Sequence, residues 1–284
     1  MVHNTSNKIY QVLTYTMLIL IGFLLLAPFL YMISISLLSD SSSNKMLFSL
    51  IPKEFNFENY FRIFTDSRML LWLKNSFILV LFSIIGQMFV SSFVAYGFAR
   101  LRAPGKKIIF SVLLGTMMIP GQITMIPQFM IFSKLHMVNT LLPIIIPNFF
   151  GGAYNVFLIR QFILGIPSSL EEAAKIDGLS YFGIYKKIVL PLIKPALAAI
   201  AIFTFNYNWG AFMEPLIYIN DSDKMPLALG VRILQATENV GALPKWNVVM
   251  VASMLLTLPM IIIFFLGQKR VFEMNISVSG DASK

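Results

Sequence analysis

Six long apolar segments constrain the fold of this chain more than any other feature of its sequence. A transmembrane α-helix needs about 20 predominantly apolar residues to cross a hydrocarbon core of about 30 Å. The segments that meet this length are residues 12–36, 75–99, 108–132, 140–162, 195–219 and 248–267. Charged residues make up only 12% of the chain, about half of their share in soluble domains. The sequence therefore predicts an all-α membrane protein, in which residues 1–284 form a single transmembrane domain with six transmembrane helices.

The lysines and arginines favour one orientation of these spans. Loops that face the cytoplasm carry an excess of Lys and Arg. If the N-terminus is cytoplasmic, the cytoplasmic segments hold 13 of the 22 Lys and Arg residues, and four of these crowd into residues 100–107. We therefore predict a multi-pass protein of the cell membrane with both termini in the cytoplasm. The net charge of +9 follows from this bias, so it does not call for a nucleic-acid partner.

Two segments are predicted to lie on the outer side. Residues 37–74 contain the amphipathic stretch "PKEFNFENYFRIFTDSRMLLWL", which predicts a helix along the membrane surface. Residues 220–247 are polar enough for an exposed loop or a short helix.

Several predicted spans contain residues that are unusual at membrane depth. Prolines interrupt the third and fourth spans, which indicates either a kink for packing or a break that lines a pathway. Polar residues in a span face a bundle interior or a water path, and amides and aromatic rings are the groups that fix small polar solutes. We therefore predict five residues near a translocation route, with interhelical packing as the alternative role: Met118, Gln122, Asn206, Asn208 and Trp209. Glu214 lies near the outer boundary, where both an interfacial and a buried carboxylate remain open.

The segment between the fourth and fifth spans, "IPSSLEEAAKIDGLSYFGIYKKIVLP", is too ordered for a plain connection. Ser169 and Glu172 have the spacing of a capping box, and Gly178 is suited to end the helix in the left-handed conformation. Ser180 is placed to cap a second helix. A helix–turn–helix projection of this kind indicates a docking element for a cytoplasmic partner, although an ordinary surface loop remains the alternative.

This segment resembles a known motif. Glu172-Ala173-Ala174, then Gly178, Ile188 and Leu190-Pro191, match the spacing of the EAA motif of ATP-binding-cassette (ABC) importer permeases. The flanking stretches "AYGFARLRAPGKK", "MIPGQITMIPQF" and "LPLIKPAL" resemble the carbohydrate branch of that family, in particular its second, six-span permease subunit. The chain departs from the family where Trp209-Gly210 stands in place of Trp-Asn.

The resemblance implies a type I ABC importer permease fold, with a core domain of about residues 72–268 and a cytoplasmic coupling loop of about residues 163–194. The coupling helix would contact an ATPase, and its small residues would allow close approach. The residues carried over to this role are Glu171, Glu172, Ala173, Ala174, Asp177, Gly178, Ile188, Leu190 and Pro191.

The implied partners are a second permease, two ATPase subunits, an extracellular solute-binding protein, a sugar and membrane lipid. ATP and Mg²⁺ would bind the ATPase subunits, and no cofactor is implied in this chain. The family's function is to form, with the second permease, the translocation pathway for the delivered sugar.

Other functional classes fit the sequence less well. The chain lacks the G-x-x-x-x-G-K-[ST] phosphate loop, so it is not predicted to hydrolyse ATP. The spans lack the mid-membrane ionisable groups typical of ion-coupled secondary transporters, and neither an H-E-x-x-H motif nor paired catalytic carboxylates indicate a membrane enzyme. With no cysteine and two isolated histidines, no metal site is predicted. An ABC permease for a solute other than sugar remains open.

Overall fold

The computed structural model describes residues 3–43, 51–52, 55–65, 67–235 and 245–279, and within these ranges the chain forms helices and no strands. The all-α prediction is therefore confirmed. The chain divides into two compact units, Met1–Ser67 with Val231–Thr257, and Arg68–Gly230 with Leu258–Lys284.

The first unit contains α1 (His3–Ser36), α2 (Asp40–Ser43), α3 (Glu58–Thr65) and the beginning of α15 (Trp246–Ser279). Two buried asparagines join them. The Asn59 amide donates to the carbonyl oxygens of Ser36 and Leu38, at 2.8 and 2.9 Å. The Asn247 amide donates to the Asp40 carboxylate at 2.8 Å and to Asn59 Oδ1 at 3.0 Å. These bonds tie the end of α1 to α3 and to the start of the last helix.

Asp40 carries the charge of this polar cluster. Its carboxylate lies 3.2 Å from Arg62 and 3.4 Å from Lys245. The hydrogen bond from Asn247, reinforced by Arg62 and Lys245, lowers the pKa of Asp40 below its ordinary value. The carboxylate therefore stays ionised further into the acid range than an isolated aspartate would.

The second unit holds most of the remaining helices. They are α4 (Ser67–Arg100), α5 (Lys106–Thr116), α6 (Gly121–Lys134), α7 (Leu142–Phe149), α8 (Ala153–Leu164), α9 (Ser168–Ile176), α10 (Tyr181–Ile184), a π-helical turn (Tyr185–Val189), α11 (Leu190–Leu192), α12 (Lys194–Trp209), α13 (Met213–Tyr218) and a 3₁₀ turn (Ser222–Lys224). Another helix, α14 (Leu227–Gln235), follows at the boundary between the two units.

Among the residues that the structure describes, four helical segments are long and apolar enough to cross a membrane: Tyr10–Ser36, Arg68–Arg100, Leu142–Leu164 and Trp246–Gln268. The count rises to six if two bent helix pairs each form one span. These pairs are Lys106–Thr116 with Gly121–Lys134, bent by 98°, and Tyr181–Leu192 with Lys194–Trp209, bent by 73°. The predicted number of six spans therefore holds when each bent pair is counted once, although the fifth of these spans begins at Tyr181 and ends at Trp209, earlier than the predicted span of 195–219.

Three predicted spans are not single continuous helices. The segment 140–162 comprises α7 and α8, which are separated at residues 150–152. The segment 108–132 is broken between α5 and α6, because Pro120 lacks the N–H that a continuous helix needs and has an extended backbone with ψ of 131°. The segment 195–219 is also interrupted, since α12 ends at Trp209 and α13 begins at Met213. Pro215 explains this break, because its ring would clash with the carbonyl four residues earlier inside one helix.

Both predicted outer segments are also revised. Residues 67–74 belong to the long helix α4, which leaves α3 as the only helical part of the amphipathic stretch among the described residues of 51–65. The second segment forms α14, a short helix as predicted, but Leu227 and Leu229 are buried rather than exposed. Residues 236–244 of this segment lie outside the described residues.

A glycine lets α4 approach α7. A Cβ atom placed on Gly86 would collide with both the backbone and the ring of Phe149. Gly97 lies in the same helix with open space around it.

We expect Gly86→Ala to lower the stability of the protein by about 1–3 kcal/mol, because overpacking forces the backbone of α7 to move. Gly97→Ala is the matched control and should be neutral or slightly stabilising, since alanine favours a helix over glycine. Thermal unfolding of the purified protein in detergent measures both changes. Equal melting temperatures for the two variants would contradict this description of the packing.

Candidate coupling loop and cavity

The loop after α8 folds against the second unit through an apolar core. Side chains from four parts of the unit make up this core, namely α4, α8, the loop itself and α12. Its buried members are Ala95, Tyr96, Val156, Ile159, Ile163, Ala174, Ile184, Tyr185, Val189, Ile193, Leu197 and Ile200. The hydroxyls of Tyr185 and Ser92 are 2.7 Å apart and add a polar contact with α4. The loop is therefore an ordered part of the unit.

The ends of α9 differ partly from the prediction. The predicted capping box is wrong, because Pro167 is the N-cap without a side-chain cap hydrogen bond, and Ser169 lies inside the helix. The extended ψ of 129° at Pro167 starts the helix at Ser168, two residues earlier than expected. Gly178 has a φ of 81°, which confirms the left-handed end. Ser180 caps α10 as predicted, since its Oγ accepts the Gly183 N–H at 3.2 Å.

Glu171 forms an almost fully buried ion pair with Arg100. Arg100, the last residue of α4, donates through Nε to Glu171 Oε1 at 2.6 Å, and the two side chains are only 15% and 6% exposed. The Arg100 Nη2 group also donates to the carbonyl oxygens of Ile163 and Ile166. One guanidinium thus joins the end of α4, the end of α8 and the first turn of α9. Sequence reasoning used Arg100 only as evidence for topology and missed this contact.

The two alanines of the motif lie on different faces of α9. Ala174 is 4% exposed and packs in the core, on the same face as Glu171 three residues earlier. Ala173 is exposed together with Glu172, Asp177 and Gly178. We expected the small residues Ala173 and Ala174 to share one exposed face of the helix. The structure corrects this, because only Ala173 is exposed.

Large apolar side chains are exposed on the Ala173 face of α9 and at the start of α10. Ile176 is 87% exposed, and Leu170, Tyr181 and Phe182 are exposed as well. We call Leu170, Ala173, Ile176, Tyr181 and Phe182 the coupling surface.

The last part of the motif, from Ile188 to Pro191, is helical. The Leu190 N–H donates to the carbonyl of Tyr185, five residues earlier, which makes the π-helical turn. Ile188 and Leu190 pack against the core, whereas Pro191 is exposed near the start of α11. The chain bends only after Leu192, before α12.

A cavity of about 530 Å³ lies between α6, α7, α12 and α13. Its volume is within the usual range of small-molecule sites, about 300–1,000 Å³. The Tyr207 hydroxyl donates to Glu214 Oε1 at 2.6 Å in its wall. The lining residues are Gly121, Gln122, Thr124, Met125, Gln128, Pro143, Ile144, Pro147, Asn148, Tyr207, Met213, Glu214 and Tyr218.

The residues predicted along a pathway are placed differently from one another. Gln122 lines the cavity, while Met118 is 85% exposed at the break between α5 and α6. Asn206 is half-buried and outside the cavity lining. Asn208 and Trp209 are each 1% exposed.

Contacts with neighbouring helices account for the burial of the last two. The Asn208 Oδ1 atom accepts from Ser83 at 3.3 Å and from Asn148 at 3.2 Å. The Trp209 ring packs on Phe77 of α4 and on Phe205 of its own helix, with ring centroids 5.2 and 5.3 Å apart. The structure therefore favours the alternative role of Asn208 and Trp209 in interhelical packing.

Sequence reasoning missed five polar side chains of the cavity wall, Thr124, Gln128, Asn148, Tyr207 and Tyr218. The run Asn206-Tyr207-Asn208 was the available signal for Tyr207. Consecutive residues of a helix point in different directions, so the three side chains could not all face one pathway. Within the described ranges, no three His, Cys, Asp or Glu side chains are grouped as a metal site would require.

Comparisons with known proteins agree with this architecture. The family model for the binding-protein-dependent transport system inner membrane component matches residues 87–273. The chain is 33% identical over 230 residues to the polygalacturonan/rhamnogalacturonan transport system permease protein YtcP of Bacillus subtilis, covering 80% of this chain and 78% of the relative. It is 30% identical over 281 residues to the arabinooligosaccharides transport system permease protein AraQ of the same species, covering 98% of each chain.

One solved structure shares the fold. It is a bacterial ABC transporter involved in the import of the acidic polysaccharide alginate, with a TM-score of 0.82, 24% identity, and coverage of 93% of this chain and 97% of that one. The length of the family match and the full-length similarity to AraQ lead to one conclusion. The chain belongs to the binding-protein-dependent transport system inner membrane component family, the permeases of ABC importers.

Proposed function

We propose that the chain is a permease subunit that imports a saccharide, driven by separate ATPase subunits that dock on the coupling surface. The observation that carries the proposal is the exposed apolar coupling surface, which lies on a loop packed against the core of the second unit. Exposed apolar patches mark protein or membrane contacts. Charged residues interrupt this loop, namely Glu172, Lys175, Asp177, Lys186 and Lys187, which favours a protein partner in water over lipid.

The inner face of α9 explains how docking could move the spans. Glu171 and Ala174 bind the helix to α4 and to the core, so a force on the outer face reaches the membrane helices through packed side chains. ATP and Mg²⁺ would bind the ATPase subunits, because the sequence lacks a phosphate loop of its own. Closure of the ATPases would then rock the spans as a body between inward and outward access.

Two further partners complete the proposed importer. A second permease would form the pathway with this chain, and an extracellular solute-binding protein would deliver the saccharide. The long helix α1 leaves most of its apolar surface uncovered by the rest of the chain. In the most apolar part of Tyr10–Ser36, only 11% of the residues are buried. Lipid and the second permease would cover this face. The saccharide class in general is inferred from relatives named for arabinooligosaccharides, which are neutral, and for polygalacturonan, which is a polymer of uronates.

The proposed orientation places both termini in the cytoplasm. Arg100 bonds to Glu171, so the basic segment 100–107 and the coupling loop lie at the same end of the second unit. The positive-inside rule assigns that end to the cytoplasm, where the ATPases are.

The energy source distinguishes this function from an ion-coupled transporter. Right-side-out membrane vesicles that carry the complete transporter provide the test. We expect them to accumulate labelled trisaccharides only when they contain ATP and receive the external binding protein. A proton ionophore should leave the uptake unchanged while ATP is maintained. Uptake that continues without ATP and collapses with the ionophore would contradict the proposal.

A further inference from the structure

The cavity of the second unit has many hydrogen-bonding groups and a single charge. Among its described lining residues, Glu214 is the only carboxylic acid, and none is Lys, Arg or His. The other polar groups are amides and hydroxyls, which suit uncharged polar solutes. They belong to Gln122, Thr124, Gln128, Asn148, Tyr207 and Tyr218.

Tyr218 lines this cavity, but its hydroxyl is enclosed by the protein. Its side chain is 2% exposed, and its hydroxyl has no hydrogen-bond partner among the described residues. Phe129 and Phe132 pack on its ring, with centroids 5.9 and 6.0 Å away, which hinders the ring from moving to water. This hydroxyl is not accessible from the cavity, so the recognition of a ligand there rests on the other polar groups of the wall.

The carboxylate of Glu214 is fixed by the protein. Tyr207 donates to one of its oxygens at 2.6 Å, and a carboxylate has further lone pairs for other donors. Sugar hydroxyls can donate to these lone pairs in charge-assisted hydrogen bonds. A uronate would instead bring a second negative charge into a wall without a cation, where like charges repel.

We propose that this cavity binds a neutral saccharide and that Glu214 is the specificity-determining residue that excludes uronates. The proposal rests on the proposed function as a saccharide permease and narrows its substrate class. It separates this chain from the solved neighbour, which is described as importing the acidic polysaccharide alginate, and from YtcP, which is named for the polyuronate polygalacturonan.

Direct binding to the complete transporter tests this selectivity. The complex is placed in nanodiscs without its binding protein, so that the measured preference belongs to the permease. Equilibrium dialysis with labelled arabinotriose, maltotriose and trigalacturonate gives the dissociation constants. We expect the better neutral trisaccharide to bind wild type at least tenfold more tightly than trigalacturonate. Glu214→Gln should remove most of this difference, and Glu214→Arg should reverse it.

Glu58→Gln is the matched control, because Glu58 is an exposed carboxylate of α3 in the first unit. It should leave the ratio of dissociation constants unchanged. Equal binding of trigalacturonate by wild type, no binding of either neutral trisaccharide, or an unchanged ratio in Glu214→Gln would each overturn the inference.

Failure of this inference is distinguishable from failure of the proposed function. Glu214 follows α12, a helix of 16 residues whose length of about 24 Å separates it from the coupling loop. ATP-driven uptake with no selectivity against uronates would overturn only the role of Glu214. Uptake independent of ATP would contradict the proposed function itself.

Discussion

Arg100→Met should destabilise the protein by about 3–5 kcal/mol, the cost of leaving a buried charge without its partner. Glu171 is 6% exposed on its side chain, so water cannot replace the lost guanidinium. The carbonyl oxygens of Ile163 and Ile166 lose their donor in the same variant. Glu171→Met should cost less, because Arg100 keeps those two carbonyl partners. Unfolding of the detergent-solubilised protein measures each change.

The double variant Arg100→Met, Glu171→Met separates the ion pair from simple packing. Replacing both ions by apolar side chains of similar size is often neutral or stabilising, so the double variant should be more stable than Arg100→Met alone. Arg102→Met is the matched control, since Arg102 is exposed two residues away. Additive losses in the double variant would show that the two side chains do not act as a pair.

Ile176→Asp should remove the ATPase subunits from the purified transporter without unfolding this chain. Ile176 is 87% exposed, so the carboxylate meets water in the free permease and is buried only upon docking. Losing a central apolar contact costs about 2 kcal/mol or more at an interface, which is about a 30-fold weaker association. Uptake should fall with the amount of ATPase that co-purifies.

The control for this variant is Ile51→Asp, because Ile51 is 77% exposed in the first unit. It should retain the ATPase subunits at the wild-type level. If both aspartates preserve the ATPase, or both remove it, the coupling surface is not a specific docking site.

The sequence predicted the helices of the fold because a hydrocarbon environment forces long apolar runs into helices. It did not predict where those runs bend. Pro120 and Pro215 were visible as prolines, but a proline is compatible with either a kinked helix or two separate helices. The choice depends on which neighbours satisfy the freed backbone groups, and such contacts are not encoded locally.

The coupling loop shows the same division between local and long-range information. The left-handed glycine at 178 and the cap at Ser180 could be predicted, because each depends on residues next to it in the chain. The pairing of Arg100 with Glu171 joins residues 71 positions apart, and the inward face of Ala174 follows from that pairing. Neither could be read from spacing alone. Asn208 and Trp209 looked like pathway residues for the same reason, since burial depends on the partner helix.

The most direct test of the account is a cross-link between the coupling surface and an ATPase. The chain contains no cysteine, so Ile176→Cys introduces a single reactive thiol. A short thiol-to-amine cross-linker added to membranes should produce an adduct of this chain with the ATPase subunit, and Ile51→Cys should produce none. The account is contradicted if Ile176→Cys forms no such adduct and is labelled instead by a membrane-impermeant thiol reagent added outside intact cells.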